Sequence, residues 1–323
     1  MSEPSAQVLG GFGFEARPLR STRVTGGHIH ASYRVEAVAD ESARPDERLP
    51  VLFQRLHLGV FPDPELLMAN MVRVTEHLRQ SVTARGLDPA RHALEVLLAP
   101  SGESYLRIDG DCWRLLRWIP GTESLLAPDS EQRAFRAARA FGELLRDLDS
   151  LDPSQLREPI PHFHDTLRRC CALDEAIETD PLGRVAGAAE ELERLQRHRG
   201  LATRLSDLER RGDARRRVVH NDAKLPNVLF DRATGEALCV VDLDTVMPGL
   251  ALFDFGDLAR SMASRSPEDA PDPEAVEIDR PIVEAMVAGY LESAGPVLSA
   301  AERQPLHDAA LVLTYQQAVR FLT

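Results

Sequence analysis

The stretch Val218–Thr245, VVHNDAKLPNVLFDRATGEALCVVDLDT, decides how the rest of the chain is read. Val218 and Val219 carry His220 and Asp222 into a polar loop, Asn227 follows five residues after the aspartate, and an apolar strand ends on Asp242-Leu243-Asp244. A His-x-Asp-x-x-x-x-Asn order followed by another carboxylate is a catalytic-loop spacing that one class of phosphoryl-transfer sites uses. One carboxylate orients an attacking hydroxyl and takes its proton, while an amide oxygen and further carboxylates hold a divalent metal against phosphates. Asp222 fits the first role, and Asn227, Asp242 and Asp244 the second. Alone, HND reads as a polar turn and DLD as a solvated strand end. Between them, however, VLFD, the turn Arg232-Ala233-Thr234-Gly235 and ALCVVD form a hairpin pattern that folds the second carboxylate group back beside the first.

Lys224 is the only lysine in 323 residues and falls two places after Asp222. A compact ammonium there can reach a transferring phosphoryl group and offset charge in the transition state, so Lys224 joins Asp222 as a catalytic candidate. The plainer reading is that an arginine-rich composition happened to keep one lysine.

Working outward, residues 14–118 are mostly strand-like: FEARPLRST, HASYRVEAV, PVLFQRLHL, ALEVLLAP, SYLRI and CWRLLRWI. One helix interrupts them over Pro64–Arg85, with Leu67, Met71, Val74 and Leu78 on one face, Asp63 as N-cap and Gly86 as stop. The spacing predicts an α+β, bilobal chain: a small antiparallel-sheet lobe with one helix over residues 1–118, and a mainly helical lobe carrying the catalytic loop over 119–323. Helices are expected at Asp129–Leu148, 165–178, 184–210, 280–294 and 299–322, with a proline-rich linker over 152–165 and a polar loop from Ser264 to Pro273. The last helical pattern still runs at Thr323, which suggests a natural protein that continues.

In the first lobe, Gly26, Gly27 and His28 lie between two strand patterns, where backbone amides would cover nucleotide phosphates; a bare hairpin turn explains them equally. The third strand offers no lysine. Arg55 is its basic residue, able to make bidentate phosphate contacts, with Glu76 or Glu65 placed to pair with it. Asp254 reads as a support for the catalytic loop. His162 and His164, two apart in the linker, read as solvated.

A net charge of −13 disfavours a nucleic-acid partner. Four cysteines without a C-x-x-C pair suggest neither disulfides nor zinc, and point to a reducing cytoplasm. No cationic leader and no run of about eighteen apolar residues is present, so neither secretion nor membrane insertion is expected.

HNDAKLPNVLFD, CVVDLDTVMPGLALFDFGD, LFQRLHLGVFPDPELLMANMVRVTEHL and the terminal AVRFLT resemble the aminoglycoside phosphotransferase-like family of small-molecule kinases, and within it the N-acetylhexosamine 1-kinases. The resemblance touches both lobes and says little of residues 129–210. It implies a protein-kinase-like fold, Mg²⁺-ATP, and transfer of the γ-phosphoryl group to the anomeric hydroxyl of a sugar such as N-acetylglucosamine or N-acetylgalactosamine. It further implies Asp222 as base beside the substrate, Asn227 and Asp242 as metal ligands, and Arg320 as a sugar contact. Two readings compete: a kinase of the same fold acting on an aminoglycoside, an amino alcohol or another sugar, and a pseudokinase that binds nucleotide without turnover.

Overall fold

The computed structural model describes residues 3–14, 19–25, 29–37, 50–266, 272 and 276–323. It divides into two compact units, Met1–Thr122 and Glu123–Thr323.

The first unit is an antiparallel sheet with helices. Its strands are β1 (Leu19–Val24), β2 (Ala31–Ala37), β3 (Val51–Arg55), β4 (Val96–Leu97), β5 (Tyr105–Ile108) and β6 (Asp111–Arg117). The order is β1-β2-β3-β6-β4, with β5 also paired to β6. Phe53 of β3 lies opposite both Tyr33 and Leu115, and these three join Val35, Trp113, Val8 and Phe12 in the core of the unit. Strand β6 is buried on both faces, with Trp113 and Leu115 on one and Cys112, Leu116 and Arg114 on the other, where Arg114 Nε donates to Gln54 Oε1 at 2.9 Å.

Helix α2 (Pro64–Ala84) begins as its sequence implies: Asp63 Oδ1 accepts from the Leu66 amide at 2.9 Å, and Pro64 occupies a first-turn position where no N–H is needed. Its buried stripe is Leu67, Met68, Met71, Val74, Leu78 and Val82. Two short helices accompany it, α1 (Ala6–Gly11) and α3 (Pro89–His92). The glycine-rich start conceals α1, but Ser5 caps it and Phe12 at its end packs edge-on against Phe53 at 5.5 Å.

The second unit is mainly helical: α4 (Glu131–Leu148), α5 (Thr166–Thr179), α6 (Ala189–Arg197), α7 (Arg204–Arg211), α8 (Ala251–Met262), α9 (Arg280–Ala294), α10 (Ala300–Arg303) and α11 (Leu306–Leu322). The single helix expected over 184–210 is instead two, with 3₁₀ turns at Val185–Ala188 and Arg199–Thr203. Gly187 and Gly200 lie in those turns, where a helix interior would be weakest. The helix expected over 299–322 is likewise broken at Pro305, which has no N–H to give the helix ladder. Helices α4 and α9 meet at glycines: a Cβ on Gly289 would lie 2.2 Å from the Phe135 carbonyl oxygen, and one on Gly142 2.7 Å from that of Tyr290.

A two-residue strand, β7 (Thr122–Glu123), precedes four more: β8 (Arg217–Val219), β9 (Val228–Asp231), β10 (Ala237–Val240) and β11 (Met247–Gly249). Strands β9 and β10 form the expected hairpin. Its turn is closed by Asp231 Oδ1, which accepts from the Ala233 and Thr234 amides, and by Gly235 at φ +71°. Strand β8 pairs with β11, Val219 opposite Met247. Among the described residues no helix is long and apolar enough to cross a membrane. The polar segment expected as a loop from Ser264 to Pro273 lies largely outside the described residues, as residues 267–271 and 273 are not among them.

Candidate active site

Strand β8 ends at Val219, and the chain enters a loop whose backbone is held from three directions. Asp254, in the first turn of α8, accepts from the His220 amide through Oδ2 at 2.9 Å and from the Asn221 amide through Oδ1 at 2.7 Å. This is the support expected of it. Burial pushes the Asp254 carboxyl up to about 6, against the pull of His220 and the two amides. Thr245 Oγ1 donates to the His220 carbonyl at 2.7 Å. Asn221 adopts φ +63°, a left-handed conformation that asparagine tolerates better than most residues. Its Nδ2 is within 3.3 Å of the carbonyls of Val219, Thr245 and Met247, and thereby ties the loop to β8 and β11. Gly249 leaves room for that amide, since a Cβ there would lie 2.7 Å from Asn221 Oδ1.

The candidate reactive groups follow. Lys224 Nζ lies 2.7 Å from Asp222 Oδ2, and both side chains keep about a quarter of their surface exposed, so a substrate can reach them. Asn227 Nδ2 donates to the Asp222 carbonyl at 2.9 Å, so Oδ1 is the atom of this amide that could face a cation. The Val241 amide donates to the Asn227 carbonyl at 2.8 Å, joining the end of β10 to the loop just before Asp242. Asp242 is itself left-handed at φ +63°, and Asp244 is buried in the 3₁₀ turn that follows. Among the described residues no three His, Cys, Asp or Glu side chains gather as a metal site of their own. An amide oxygen with carboxylates suits a hard cation that takes its other ligands from phosphates and water, so these residues fit a divalent metal bound together with a nucleotide.

The remaining residues expected at the site fall into three groups. Gly26, Gly27 and His28 lie outside the described residues. Arg55 and Glu76 do not form the expected pair: Arg55 Nη1 bonds Asp111 Oδ2 at 3.0 Å. The β3–β6 register sets Arg55 opposite Trp113, two residues from Asp111, whereas Glu76 lines an open groove of about 720 Å³ with Arg79, Pro89, Glu95 and Leu98. Glu65 is not the partner either. Arg320 is exposed in the last turn of α11; burial first, and the like charge of Arg320 in addition, lower the Arg169 pKa.

Some residues near the loop escape the sequence reading. Asp257, buried in α8, accepts from Arg260 Nε at 3.1 Å; burial first, and Asp222 in addition, push its carboxyl up to about 7. His164 is not solvated. Its ring stacks on Phe253 with centroids 4.5 Å apart, and its Nε2 lies 2.8 Å from the Asn221 carbonyl oxygen. No local signal marks it, because its partners Asn221 and Phe253 are far along the chain. His162, by contrast, is exposed.

A model of the APH phosphotransferase enzyme family matches residues 22–296. The chain belongs to this family. Solved structures of similar shape include an amicoumacin kinase in complex with AMP-PNP, Ca²⁺ and Ami, 13% identical with TM-score 0.62, over 94% of this chain and 80% of that one. A choline kinase from Cryptosporidium parvum Iowa II is 12% identical with TM-score 0.58, over 94% and 83%. A microcompartment-associated aminopropanol kinase is 16% identical with TM-score 0.57, over 97% and 87%. At these identities the likeness shows the fold. This APH-family phosphotransferase has the α+β kinase-like fold, a sheet-bearing N-terminal unit followed by a mainly helical one, and its family acts on small molecules.

Proposed function

We propose that this phosphotransferase moves the γ-phosphoryl group of ATP, with Mg²⁺, to a sugar hydroxyl, and that the hydroxyl is the anomeric one of an N-acetylhexosamine. The observation that carries the phosphoryl-transfer part is the loop itself: Asp222 beside Lys224 at 2.7 Å, with Asn227 and the Asp242 turn bonded to the same backbone. The resemblance of the HNDAKLPNVLFD and DLDTVMPGLALFDFGD segments to N-acetylhexosamine 1-kinases supports the acceptor.

In this reading the first unit contributes to nucleotide binding, Arg55, which Asp111 orients, supplying a guanidinium for phosphate. Residues 119–323 carry the chemistry. Asn227, Asp242 and Asp244 hold the metal, which supplies positive charge to the phosphate oxygens. Asp222 accepts a hydrogen bond from the acceptor hydroxyl and takes its proton as the new P–O bond forms and the bond from the γ-phosphorus to the bridging oxygen breaks, with ADP as the leaving group. An anomeric hydroxyl is more acidic than an ordinary alcohol, so a carboxylate already paired with Lys224 is basic enough and contributes mostly by orientation. Lys224 then offsets charge on the transferring group. Arg320 contacts the sugar. Four free cysteines, of which Cys112, Cys170 and Cys239 are buried, suit a reducing cytoplasm.

The second reading is an amine-bearing acceptor, since the names of the structural neighbours include choline and aminopropanol kinases. The charges around Asp222 argue against it. Asp257, which feels the charge of Asp222, is matched by Arg260, and Arg169, near Asp257 and Asp165, has Arg320 beside it, so the carboxylates there already have cationic partners, which favours a neutral polyhydroxylated molecule over a cation.

The test is ADP release from Mg²⁺-ATP against N-acetylhexosamines, neutral hexoses, aminoglycosides and amino alcohols, with ³¹P NMR of the product. A sugar 1-phosphate from an N-acetylhexosamine is expected. Phosphate on another acceptor replaces the substrate and keeps the mechanism; nucleotide binding without turnover on any acceptor favours a pseudokinase.

A further inference from the structure

The peptide unit joining Asn221 to Asp222 is gripped at both ends. Its N–H, that of Asp222, points at His220 Nδ1 at 3.3 Å, and its carbonyl, that of Asn221, receives His164 Nε2 at 2.8 Å. The proton positions follow from the partners. Gln316, on α11 and 1% exposed, directs its Nε2 at the Phe163 carbonyl (3.3 Å), which can only accept, while its Oε1 receives Thr166 Oγ1 at 3.2 Å. The same Nε2 lies 3.2 Å from His164 Nδ1, so Nδ1 is the acceptor and the single ring proton sits on Nε2, aimed at Asn221. On the far side, His220 Nε2 meets the Val241 carbonyl at 3.1 Å, which fixes its Nδ1 as acceptor too. Stacking on Phe253 and packing against Phe163 hold the His164 ring in plane, and burial pushes its pKa down to about 4, so the ring is neutral under ordinary conditions.

We propose that His164 is a positioning residue for Asp222: its Nε2–H holds the Asn221 carbonyl, and so fixes the peptide unit from which the Asp222 carboxylate projects. The peptide needs holding because Asn221 is left-handed, a conformation a relaxed loop would leave. Gln316 and Thr166 set the tautomer, and Gln316 of helix α11 thereby reaches a loop 95 residues before it (Gln316 against Asn221) without itself touching substrate. This rests on Asp222 as the proton acceptor.

The experiment uses the full chain with Mg²⁺-ATP and N-acetylglucosamine, comparing the parent with His164→Phe, His164→Gln and Asp222→Asn. Phenylalanine keeps the ring and its stacking but removes the donor; glutamine restores an N–H near Nε2 and an oxygen facing Gln316. His164→Phe is expected to lower kcat about a hundred-fold with KM for ATP unchanged, and His164→Gln to recover most of that loss. A parent-like kcat in His164→Phe, or equal losses in both variants, overturns the proposal. Independently of any acceptor, ¹⁵N NMR of histidine-labelled protein should show one ring, absent from the His164→Gln spectrum, as the neutral Nε2–H tautomer from pH 8 to pH 5. An Nδ1–H tautomer, or titration over that range, overturns it as well. If instead Asp222→Asn turns over like the parent, the assignment of Asp222 as base fails, while the tautomer still decides whether the peptide is held as described. Should His164→Phe not fold, His164→Gln and the tautomer carry the test.

Discussion

Asp254 and Asp257 sit three residues apart in one helix and support the loop in different ways. Asp254 spends both oxygens on backbone amides. Asp254→Asn places an NH₂ against one of them, so one buried N–H loses its acceptor at a cost of about 1–3 kcal/mol. A lower melting temperature together with reduced kcat is expected; wild-type values of both would remove Asp254 from the account of the loop. Asp257 is subtler. Its pKa in the folded chain, about 7, lies above the ordinary 3.8 of an aspartate in the unfolded chain, so the stability that protonation gives is fully present below about pH 3.8 and is lost as the pH rises through about 7. Asp254 acts in the same direction with its loss near pH 6. His164 acts oppositely: its pKa is lowered to about 4, so its contribution is present above its ordinary 6.5 and is lost as the pH falls towards 4. Asp257→Asn, which resembles the protonated acid permanently, should therefore melt higher relative to the parent at pH 8 than at pH 5, whatever constant penalty Arg260 incurs on losing a charged partner. Thermal denaturation at the two pH values checks this, and an equal difference at both would refute it. At this scale Asp222, Lys224, Asn227, Asp242 and Asp244 could be read from sequence because the hairpin keeps them within 23 residues (222–244) of one another. His164 could not, because its partners lie at Asn221, Phe253 and Gln316, and no local pattern announces contacts that distant. Arg55 shows the reverse case: the residue stood out, but its partner was decided by a strand register that an unaligned sequence does not reveal.

Between elements, the tightest constraint is where α4 crosses α9. Each helix gives up a side chain at the crossing, Gly142 on one and Gly289 on the other, and backbone meets backbone. Gly289→Ala would drive a methyl into the Phe135 carbonyl and force the pair apart, with an expected cost of about 1–3 kcal/mol by chemical denaturation. No change in the denaturation midpoint would show that the crossing relaxes freely. Helix α2 was legible almost residue for residue, since Asp63, Pro64 and Gly86 mark its ends by local chemistry alone. The broken helices at 184–210 and 299–322 were less so, because charged, apolar-periodic residues continue through Gly200 and Pro305 and the eye follows the period past the break. Charge content here masks interruption.

Across the molecule, arginine performs nearly every cationic task. Arg217, 1% exposed at the head of the strand that feeds the catalytic loop, bonds Glu302 of α10 at 2.6 Å, Asp149 at the end of α4 at 2.9 Å and the Val297 carbonyl at 3.1 Å. Removing one partner strands the others: Arg217→Ala leaves Glu302 buried with its countercharge gone, and a loss of about 3–5 kcal/mol is expected in equilibrium unfolding, against a small effect if the carboxylates find water instead. With that arrangement repeated over the surface, as in Arg199 with Asp174 and Arg204 with Asp308, the chain keeps one primary amine on a side chain, and it stands 2.7 Å from the carboxylate of Asp222. Apart from the α-amino group, an acylating reagent has one amine on which to form a stable amide. Guanidinium groups do not compete, so added mass on the peptide that holds Lys224 would count how many molecules have that amine accessible, and its loss under saturating nucleotide is the outcome expected if Lys224 faces the phosphates as proposed.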